Sequence, residues 1–285
     1  MWSHVTLNLI DLALSEDVGA GDLTTRALID PSIQAKARII AKEPLILCGL
    51  GIARLVFSRV NVHLAFKGLT EDGARVPAGA AVAEVSGSFA AILEGERTAL
   101  NFLQRMCGIA GKTAATVEKI RGTGATILDT RKTTPGWREL EKYAVRTGGG
   151  ANHRLGLFDQ VLIKNNHIDA LNGDVGKAVR AARAKHAPPI RIEVEVRNRA
   201  ELEQAAAAGP DIILFDNYSP VGLAEDLAWL KGLKGGTEIR TEASGGIREE
   251  NVLEYARTGV DYLSLGALTH SAPAADLSLR FVDEG

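Results

Sequence analysis

Hydrophobic and polar positions follow a mixed pattern over the first 121 residues of the chain. Helical spacing covers roughly the first 20 residues and returns from about 90 to 121. Between them, three stretches alternate apolar and polar positions as strands do, at 35–42, 62–69 and 81–86. Gly108 and Gly111 lie within the second helical stretch and predict that it is broken into two helices. This part of the chain therefore predicts a small sheet packed with helices.

The pattern changes after Gly124, where short apolar runs alternate with helical stretches. Six runs have the character of strands, at 125–128, 160–163, 190–196, 211–215, 238–241 and 261–265. Helices are predicted between most of them, at 174–187, 199–208, 220–231 and 248–258. Asn198 and Glu201 resemble a capping box, and Gly209 is a matching stop signal. Such alternation predicts an α/β fold with a parallel sheet, either open or closed into a barrel.

Polar residues gather at the carboxyl end of each predicted strand of this second part. They are Asp129 to Lys132, Lys164, Glu193 and Glu195, Asp216, Glu242 to Gly246, and Gly266. Buried parallel strands are otherwise apolar, and the carboxyl ends of such strands carry the active sites of barrels and open α/β sheets. The sequence therefore predicts an active site at this edge of the sheet.

The overall composition narrows the choice of ligands. The 285-residue chain is 46% hydrophobic and 24% charged, with a net charge of −2, so nothing in its charge predicts binding to nucleic acid or membranes. Its two cysteines, Cys48 and Cys107, form no metal motif and are expected to be reduced packing residues. We see no signal peptide and no membrane span, and expect a cytoplasmic protein.

One segment has a local excess of positive charge, although the chain as a whole is slightly negative. Between Arg131 and His167 there are seven Lys or Arg residues and three Asp or Glu residues, with glycines among them. Arg138, Lys142 and Arg146 have helical spacing with two glutamates, which predicts a solvated helix face. The remaining cations follow strands or glycines, which let a ligand approach the backbone closely. We interpret this as a binding site for a small polyanion.

Other residues extend the predicted site. Glu195 and Asp216, as acids at buried strand ends, need partners; they are expected either to pair with lysines or to bind hydroxyl groups or Mg²⁺. The loops that begin with Ser244 and Gly266 are placed where barrels bind phosphate through backbone N–H groups. Residue types and spacing therefore predict a substrate with phosphate and further anions, without naming a reaction.

At these residues the chain resembles the quinolinate phosphoribosyltransferase family. The similar strings are DTRKTTPG (129–136), EKYAV (141–145), GGGANHRLGL (148–157), LIKNNHI (162–168), IEVEV (192–196), EASGGI (242–247), GALTHS (266–271), EDVGAGDLTT (16–25) and ERTALN (96–101). The resemblance implies a type II phosphoribosyltransferase fold. An N-terminal α/β sandwich domain (1–107, joined by the tail 271–285) would be followed by an incomplete (β/α) barrel (108–270).

The resemblance also implies a reaction and an assembly. Quinolinate and phosphoribosyl pyrophosphate would give nicotinate mononucleotide, pyrophosphate and carbon dioxide, with Mg²⁺, in de novo NAD biosynthesis. The resemblance implies a homodimer, and it leaves open whether dimers associate into larger oligomers. Arg97 matches the position that reaches into the active site of the partner subunit.

The family's site residues fall on specific positions of this chain. Carboxylate-binding positions match Arg131, His153 and Arg154. Catalytic positions match Lys132 and Lys164, which face substrate anions and pyrophosphate, and Glu195 and Asp216, which lie near the ribose hydroxyls and the metal. The 5′-phosphate loops match Ser244, Gly245, Gly246 and Gly266. One position departs, because Asn165 stands where the family usually has an acid, and weaker metal binding is expected.

Three other interpretations remain open from the residues. Lys164, at a strand end among cations, would also suit the nucleophile of a Schiff-base barrel enzyme. A related family linked to molybdenum transport shares the barrel, although it lacks the Asn-His-Arg string. A protein that binds anions without catalysis would not need Glu195 and Asp216 beside the cations.

Overall fold

The computed structural model describes residues 2–233 and 238–282. The helices are α1 (His4–Val18), α2 (Leu23–Leu28), α3 (Leu50–Val60), α4 (Phe89–Lys119), α5 (Arg138–Thr147), α6 (Asn165–Asp169), α7 (Val175–Lys185), α8 (Arg199–Ala208), α9 (Pro220–Gly232), α10 (Val252–Ala256) and α11 (Ala267–His270). The strands are β1 (Gln34–Ala41), β2 (Leu45–Ile46), β3 (Ala65–Gly68), β4 (Arg75–Val76), β5 (Ala81–Ser88), β6 (Thr126–Leu128), β7 (Val161–Ile163), β8 (Ile192–Val196), β9 (Ile212–Asp216), β10 (Arg240–Ser244), β11 (Tyr262–Ser264) and β12 (Leu277–Phe281).

The chain divides into two compact units. Unit 1 comprises Met1–Ala114, Thr133–Gly149 and Leu268–Gly285, and unit 2 comprises Ala115–Lys132 and Gly150–Ala267. The predicted boundary at 107/108 placed 133–149 in the barrel, whereas this division places that segment, with α5, in unit 1. Met1 and residues 283–285 of the predicted tail lie outside the described residues.

Unit 1 is built on a four-stranded antiparallel sheet in the order β12-β1-β5-β3. The last strand of the chain is therefore an edge strand here, with Leu279 opposite Ile39. Ile39, Val85, Ile52 and Phe57 are fully buried, so α3 and the sheet share an apolar core. Alternation of apolar and polar residues predicted β1, β3 and β5 of this sheet, whereas β12 was not predicted.

Helix α4 runs unbroken from Phe89 to Lys119, so the predicted break at Gly108 and Gly111 is wrong. Gly108 serves another purpose, because a Cβ there would lie 1.8 Å from the carbonyl oxygen of Pro273. The missing side chain lets the backbone at 273–274 pack directly on the helix. A Cβ at Gly111 would meet nothing within 4 Å.

This difference gives a prediction on stability. Gly108→Ala is expected to lower the melting temperature, because overpacking costs about 1–3 kcal/mol or more, against a helix gain of about 1 kcal/mol from replacing Gly. Gly111→Ala is the matched control and should raise the melting temperature slightly, since it adds helix propensity in open space. Thermal unfolding of both variants would measure the difference, and equal shifts would contradict the packing described above.

Helix α5 differs from the solvated face predicted for it. Glu141 and Lys142 are buried, whereas Arg146 is exposed. Glu141 accepts hydrogen bonds from the backbone N–H and the hydroxyl of Thr134 at 3.1 and 2.9 Å, and pairs with Arg105 at 2.8 Å. Because a buried carboxylate needs such partners, it is a structural residue of unit 1.

Unit 2 contains a six-stranded parallel sheet in the order β6-β11-β10-β9-β8-β7. Its first strand along the chain, β6, pairs with its last, β11, and this pairing is what wraps a β/α unit into a barrel. β6 and β7 are the two edges, so the barrel is incomplete. The predicted fold class is confirmed, and the six predicted strands match within a few residues.

Helix α8 of unit 2 begins and ends at the signals that the sequence contains. The Asn198 side chain accepts a hydrogen bond from the Glu201 N–H at 3.0 Å, and Gly209 ends α8 in the left-handed conformation. Parallel strands and returning helices of this kind bring all six carboxyl ends to one edge.

Within the described residues, no helix is long and apolar enough to cross a membrane.

Candidate active site

Two arginines of unit 2, Arg131 and Arg154, lie close enough for the charge of one to act on the other. Burial and the charge of Arg131 lower the pKa of the Arg154 guanidinium. Arg154 is 8% exposed and donates from Nη1 to the carbonyl oxygen of Gln160 at 3.2 Å. The Nε atoms of both arginines are buried and have no hydrogen-bond partner in the part of the chain that the structure describes. Unpartnered buried donors on two neighbouring cations are what a site for a planar anion requires.

Asp129 fixes the loop that contains Arg154. Its fully buried carboxylate accepts a hydrogen bond from the His153 backbone N–H at 3.0 Å and from the Asn152 side chain at 2.5 Å. A carboxylate at the end of β6 thereby holds the loop 152–154, which also lies in unit 2. We did not predict this role; the signal in the sequence was an acid directly after an apolar strand.

The imidazole ring of His153 lies beside the carboxylates of Glu193 and Glu242. Its Nε2 lies 3.1 Å from Oε2 of Glu193 and 3.6 Å from Oε1 of Glu242, and its Nδ1 accepts a hydrogen bond from the Arg154 N–H at 2.7 Å. With Nδ1 accepting, the proton of a neutral ring is on Nε2, where it points to Glu193. The role in carboxylate binding that the resemblance gives to His153 stays a prediction.

Glu193 and Glu242 were among the polar residues expected at the active-site edge, but neither was predicted as a site residue with a role of its own. They are 0% and 1% exposed. Gln160 donates to Glu193 at 2.6 Å, and the Ser264 hydroxyl donates to Glu242 at 2.5 Å. Burial, together with the charge of Glu193, raises the pKa of Glu242 to about 8. The available signal was a glutamate in the middle of a buried strand, where an apolar residue is expected.

A second acid pair, Glu195 and Asp216, lies at the carboxyl ends of β8 and β9. Burial and the nearby Asp216 raise the pKa of Glu195, and the charge of Lys164 acts in the opposite direction. The Asn165 side chain donates to Oε1 of Glu195 at 3.3 Å, while its own Oδ1 is buried without a partner among the described residues. Lys164 itself is exposed. Two adjacent carboxylates and a free amide oxygen are the donor set that Mg²⁺ prefers.

The loop after β10 contains two glycines whose backbone conformation lets another group pack closely against the main chain. Gly245 and Gly246 have φ of +87° and +64°, values that favour glycine, and a Cβ on Gly245 would lie 2.2 Å from Oδ1 of Asn217. The Asn217 N–H donates to the carbonyl oxygen of Ser244 at 2.9 Å, so this loop and the end of β9 are tied together. Gly266 follows β11 in the same unit.

The predicted site residues are thus distributed over both units. Unit 2 contains Arg131, Lys132, His153, Arg154, Lys164, Glu195, Asp216, Ser244, Gly245, Gly246 and Gly266. Lys132 is exposed, and its backbone N–H donates to the Thr130 hydroxyl at 3.0 Å. Arg97 belongs to unit 1, where it is an exposed residue of α4.

The arrangement in unit 2 can bind three kinds of group. Arg131 and Arg154 offer donors to a carboxylate, the glycine loop after β10 offers backbone to a phosphate, and the Glu195–Asp216 pair offers oxygens to a cation or to hydroxyl groups. Such a site suits a substrate with both carboxylate and phosphorylated sugar parts.

Comparison with known proteins gives consistent matches along the whole chain. Residues 22–107 match the family model described as quinolinate phosphoribosyl transferase, N-terminal domain, and residues 109–280 match its C-terminal domain. A nicotinate-nucleotide pyrophosphorylase [carboxylating] of Mycobacterium leprae is 43% identical, with 94% of each chain covered. The quinolinate phosphoribosyltransferase [decarboxylating] 1b of Nicotiana tabacum is 40% identical over 99% of this chain and 85% of its own.

A solved structure agrees with these matches. The nicotinate-nucleotide pyrophosphorylase from Francisella tularensis superposes with a TM-score of 0.90 at 39% identity, covering 98% of this chain and 96% of that one.

Proposed function

The chain belongs to the quinolinate phosphoribosyltransferase family, and we propose that it transfers the phosphoribosyl group of phosphoribosyl pyrophosphate to the ring nitrogen of quinolinate. The products are nicotinate mononucleotide, pyrophosphate and carbon dioxide, and the pathway is de novo NAD biosynthesis. The proposal is supported by two relatives named for this activity, each at least 40% identical over nearly the whole chain.

The observation that carries the proposal is the pair of buried, unpartnered Nε atoms on Arg131 and Arg154. Quinolinate has two adjacent carboxylates on a pyridine ring, so it can engage both guanidinium groups at once. Leaving these donors unpaired costs free energy, and a dicarboxylate removes that cost on binding. The pair therefore selects a substrate by its second carboxylate.

Glycosyl transfer is proposed at the second acid pair. The ring nitrogen attacks the anomeric carbon as the bond to pyrophosphate breaks, and positive charge develops on the sugar. Glu195 and Asp216 stabilise that charge, while Lys132 and Lys164 take up the negative charge of the leaving pyrophosphate. Ser244, Gly245, Gly246 and Gly266 hold the 5′-phosphate through backbone N–H groups. The protein's main contribution is to position and neutralise the two substrates.

Decarboxylation follows from the first step. Once alkylated, the ring nitrogen is cationic and withdraws electrons from the neighbouring carbon. The bond to the adjacent carboxylate then breaks, its electron pair stays on the ring carbon, and carbon dioxide leaves. That carbon takes up one proton, which completes nicotinate mononucleotide. Arg131 and Arg154 hold the dicarboxylate in place until the bond breaks.

Mg²⁺ is the cofactor that we propose for this site. The donor set fits it, because Glu195 and Asp216 are adjacent carboxylates and Oδ1 of Asn165 is a buried oxygen without a partner among the described residues. When bound, Mg²⁺ neutralises charge on the pyrophosphate group. Glu195 and Asp216 are the residues that would hold it, with Asn165 as a neutral neighbour.

Asn165 gives a prediction on metal affinity. Asn165→Asp adds a third carboxylate beside Glu195 and Asp216 and is expected to lower the Mg²⁺ concentration for half-maximal activity by a factor of about 3–10, since one further charge nearby is worth roughly 1 kcal/mol in a partly exposed site. Mn²⁺ binding followed by paramagnetic resonance, without substrates, should tighten in parallel. Asn172→Asp, a change of the same charge outside the site, is the control. Unchanged Mn²⁺ binding in Asn165→Asp would contradict the placement of the metal.

The active form is proposed to be a cytoplasmic homodimer in which Arg97 serves the barrel of the partner subunit. Arg97 is exposed on α4, and its charge acts on the neighbouring Glu96. An exposed arginine of this kind is available to a second copy.

The proposed activity is tested by incubating the purified protein with quinolinate, phosphoribosyl pyrophosphate and Mg²⁺ and identifying the product by mass. Nicotinate mononucleotide is expected. The rival Schiff-base mechanism predicts instead that borohydride traps a carbonyl substrate on Lys164, and the exposed position of Lys164 does not favour it. Trapping without any nucleotide product would overturn the proposal.

A further inference from the structure

The buried pair Glu193 and Glu242 has no part in the mechanism above. Each carboxylate has one oxygen in a hydrogen bond, to Gln160 or Ser264, and one oxygen without a partner. Those two oxygens, Oε1 of Glu193 and Oε2 of Glu242, are buried and unpartnered within residues 2–233 and 238–282. Two unpartnered buried oxygens on neighbouring acids would be costly if both acids were ionised.

A single proton removes this cost. A protonated carboxyl becomes a donor, so one acid can hydrogen-bond the other, and two negative charges become one. We propose that Glu242 is a neutral carboxylic acid that donates a hydrogen bond to Glu193, and that its proton keeps this buried pair, which lies beside His153 and acts on Arg154, from carrying two negative charges. This inference rests on the proposed function.

The surroundings of Glu242 support this assignment. The groups that face it are Glu193 on β8, His153 on the loop 152–154 and the Ser264 hydroxyl on β11. Burial and Glu193 favour the neutral acid, His153 and Ser264 favour the ionised form, and the balance places the pKa of Glu242 at about 8. The acid is therefore neutral at pH 7 and ionises as the pH rises through about 8.

Ionisation of Glu242 is expected to weaken quinolinate binding through its effect on Arg154. The charge of Glu193 already acts on the Arg154 guanidinium. Ionisation of Glu242 adds a second negative charge in the same buried site, which offsets the cations that bind the dicarboxylate. KM for quinolinate should therefore rise above pH 8, by up to about tenfold at pH 9, where about one-tenth of a group with this pKa stays protonated.

Glu242→Gln separates this role from a purely structural one. Glutamine has the same shape, donates to Glu193 and cannot ionise. The ratio of the quinolinate KM at pH 9 to that at pH 7 should fall from about 3–10 in the wild type to about 1 in the variant, whatever its absolute activity. KM for phosphoribosyl pyrophosphate should keep the wild-type ratio. Glu225→Gln, which removes one exposed acid from α9 of the same unit, should keep the wild-type ratio for both substrates.

Infrared spectroscopy gives a second measurement that does not depend on activity. The wild type at pH 7 should show a protonated carboxyl band that disappears as the pH rises through about 8 and that is missing in Glu242→Gln. An unchanged KM ratio in Glu242→Gln, or no such band, would overturn the inference while the wild type still makes nicotinate mononucleotide. Tight binding of Zn²⁺ or Mn²⁺ that Glu242→Gln abolishes would also overturn it. Failure of the wild type to make any product would instead contradict the proposed function.

Discussion

Quinolinate should be used in preference to nicotinate by about 10³–10⁵ in kcat/KM. Nicotinate lacks the second carboxylate, so part of the donor set on Arg131 and Arg154 would stay buried and unpaired. Sites built to hydrogen-bond a polar group reject an analogue without it by about 10⁴–10⁵, because the protein's own groups then lose water without gaining a partner. The second carboxylate also leaves as carbon dioxide, and nicotinate offers none at that position.

Steady-state kinetics with both acids at saturating phosphoribosyl pyrophosphate would measure this preference. Arg154→Gln should lower kcat/KM for quinolinate by at least about 10²-fold, in line with 2–5 kcal/mol for a buried charged contact, and should narrow the preference. Arg121→Gln is the control, since Arg121 is exposed and pairs with Glu118 in the same unit. Comparable turnover of nicotinate by the wild type would show that the two arginines do not select a dicarboxylate.

Two variants that are each inactive alone should restore activity when they are mixed. Arg97→Ala and Lys164→Ala are each expected to be nearly inactive alone. If Arg97 serves the partner's barrel, a mixed dimer has one site in which Arg97 and Lys164 are both intact. Random exchange makes half of the dimers mixed, so activity should return to about a quarter of wild type.

Controls make the mixing experiment decisive. Subunit exchange is followed by native mass spectrometry of one labelled variant, so that a failure to exchange is recognised. Arg97→Lys tests whether the charge alone suffices. If mixed dimers form and no activity returns, Arg97 acts within its own subunit or only in folding, and the proposed assembly is wrong.

Much of unit 2 could be predicted because its signals are local. Each strand is a short apolar run between helices with recognisable caps, such as Asn198 and Gly209 around α8. The parallel topology then brings the carboxyl ends together without further information. The cations after β6 and β7 were therefore predicted at one edge of the sheet from their position in the chain alone.

Other features depend on partners distant in sequence and could not be predicted in this way. Gly108 indicated a helix break, because nothing nearby in the chain reveals that Pro273 packs against it. Glu141 looked solvated because its partner Arg105 lies 36 residues away. Glu193 and Glu242 come together only when β8 and β10 are placed in the sheet, so neither glutamate alone indicated a buried pair.

The central claim is that this chain couples glycosyl transfer to loss of the carboxylate next to the ring nitrogen. Quinolinate labelled in that carboxylate gives the most direct test, with carbon dioxide, pyrophosphate and nicotinate mononucleotide measured together. The proposed mechanism predicts one of each per turnover, and no carbon dioxide when phosphoribosyl pyrophosphate is omitted. Release of label without phosphoribosyl pyrophosphate, or pyrophosphate without carbon dioxide, would contradict it.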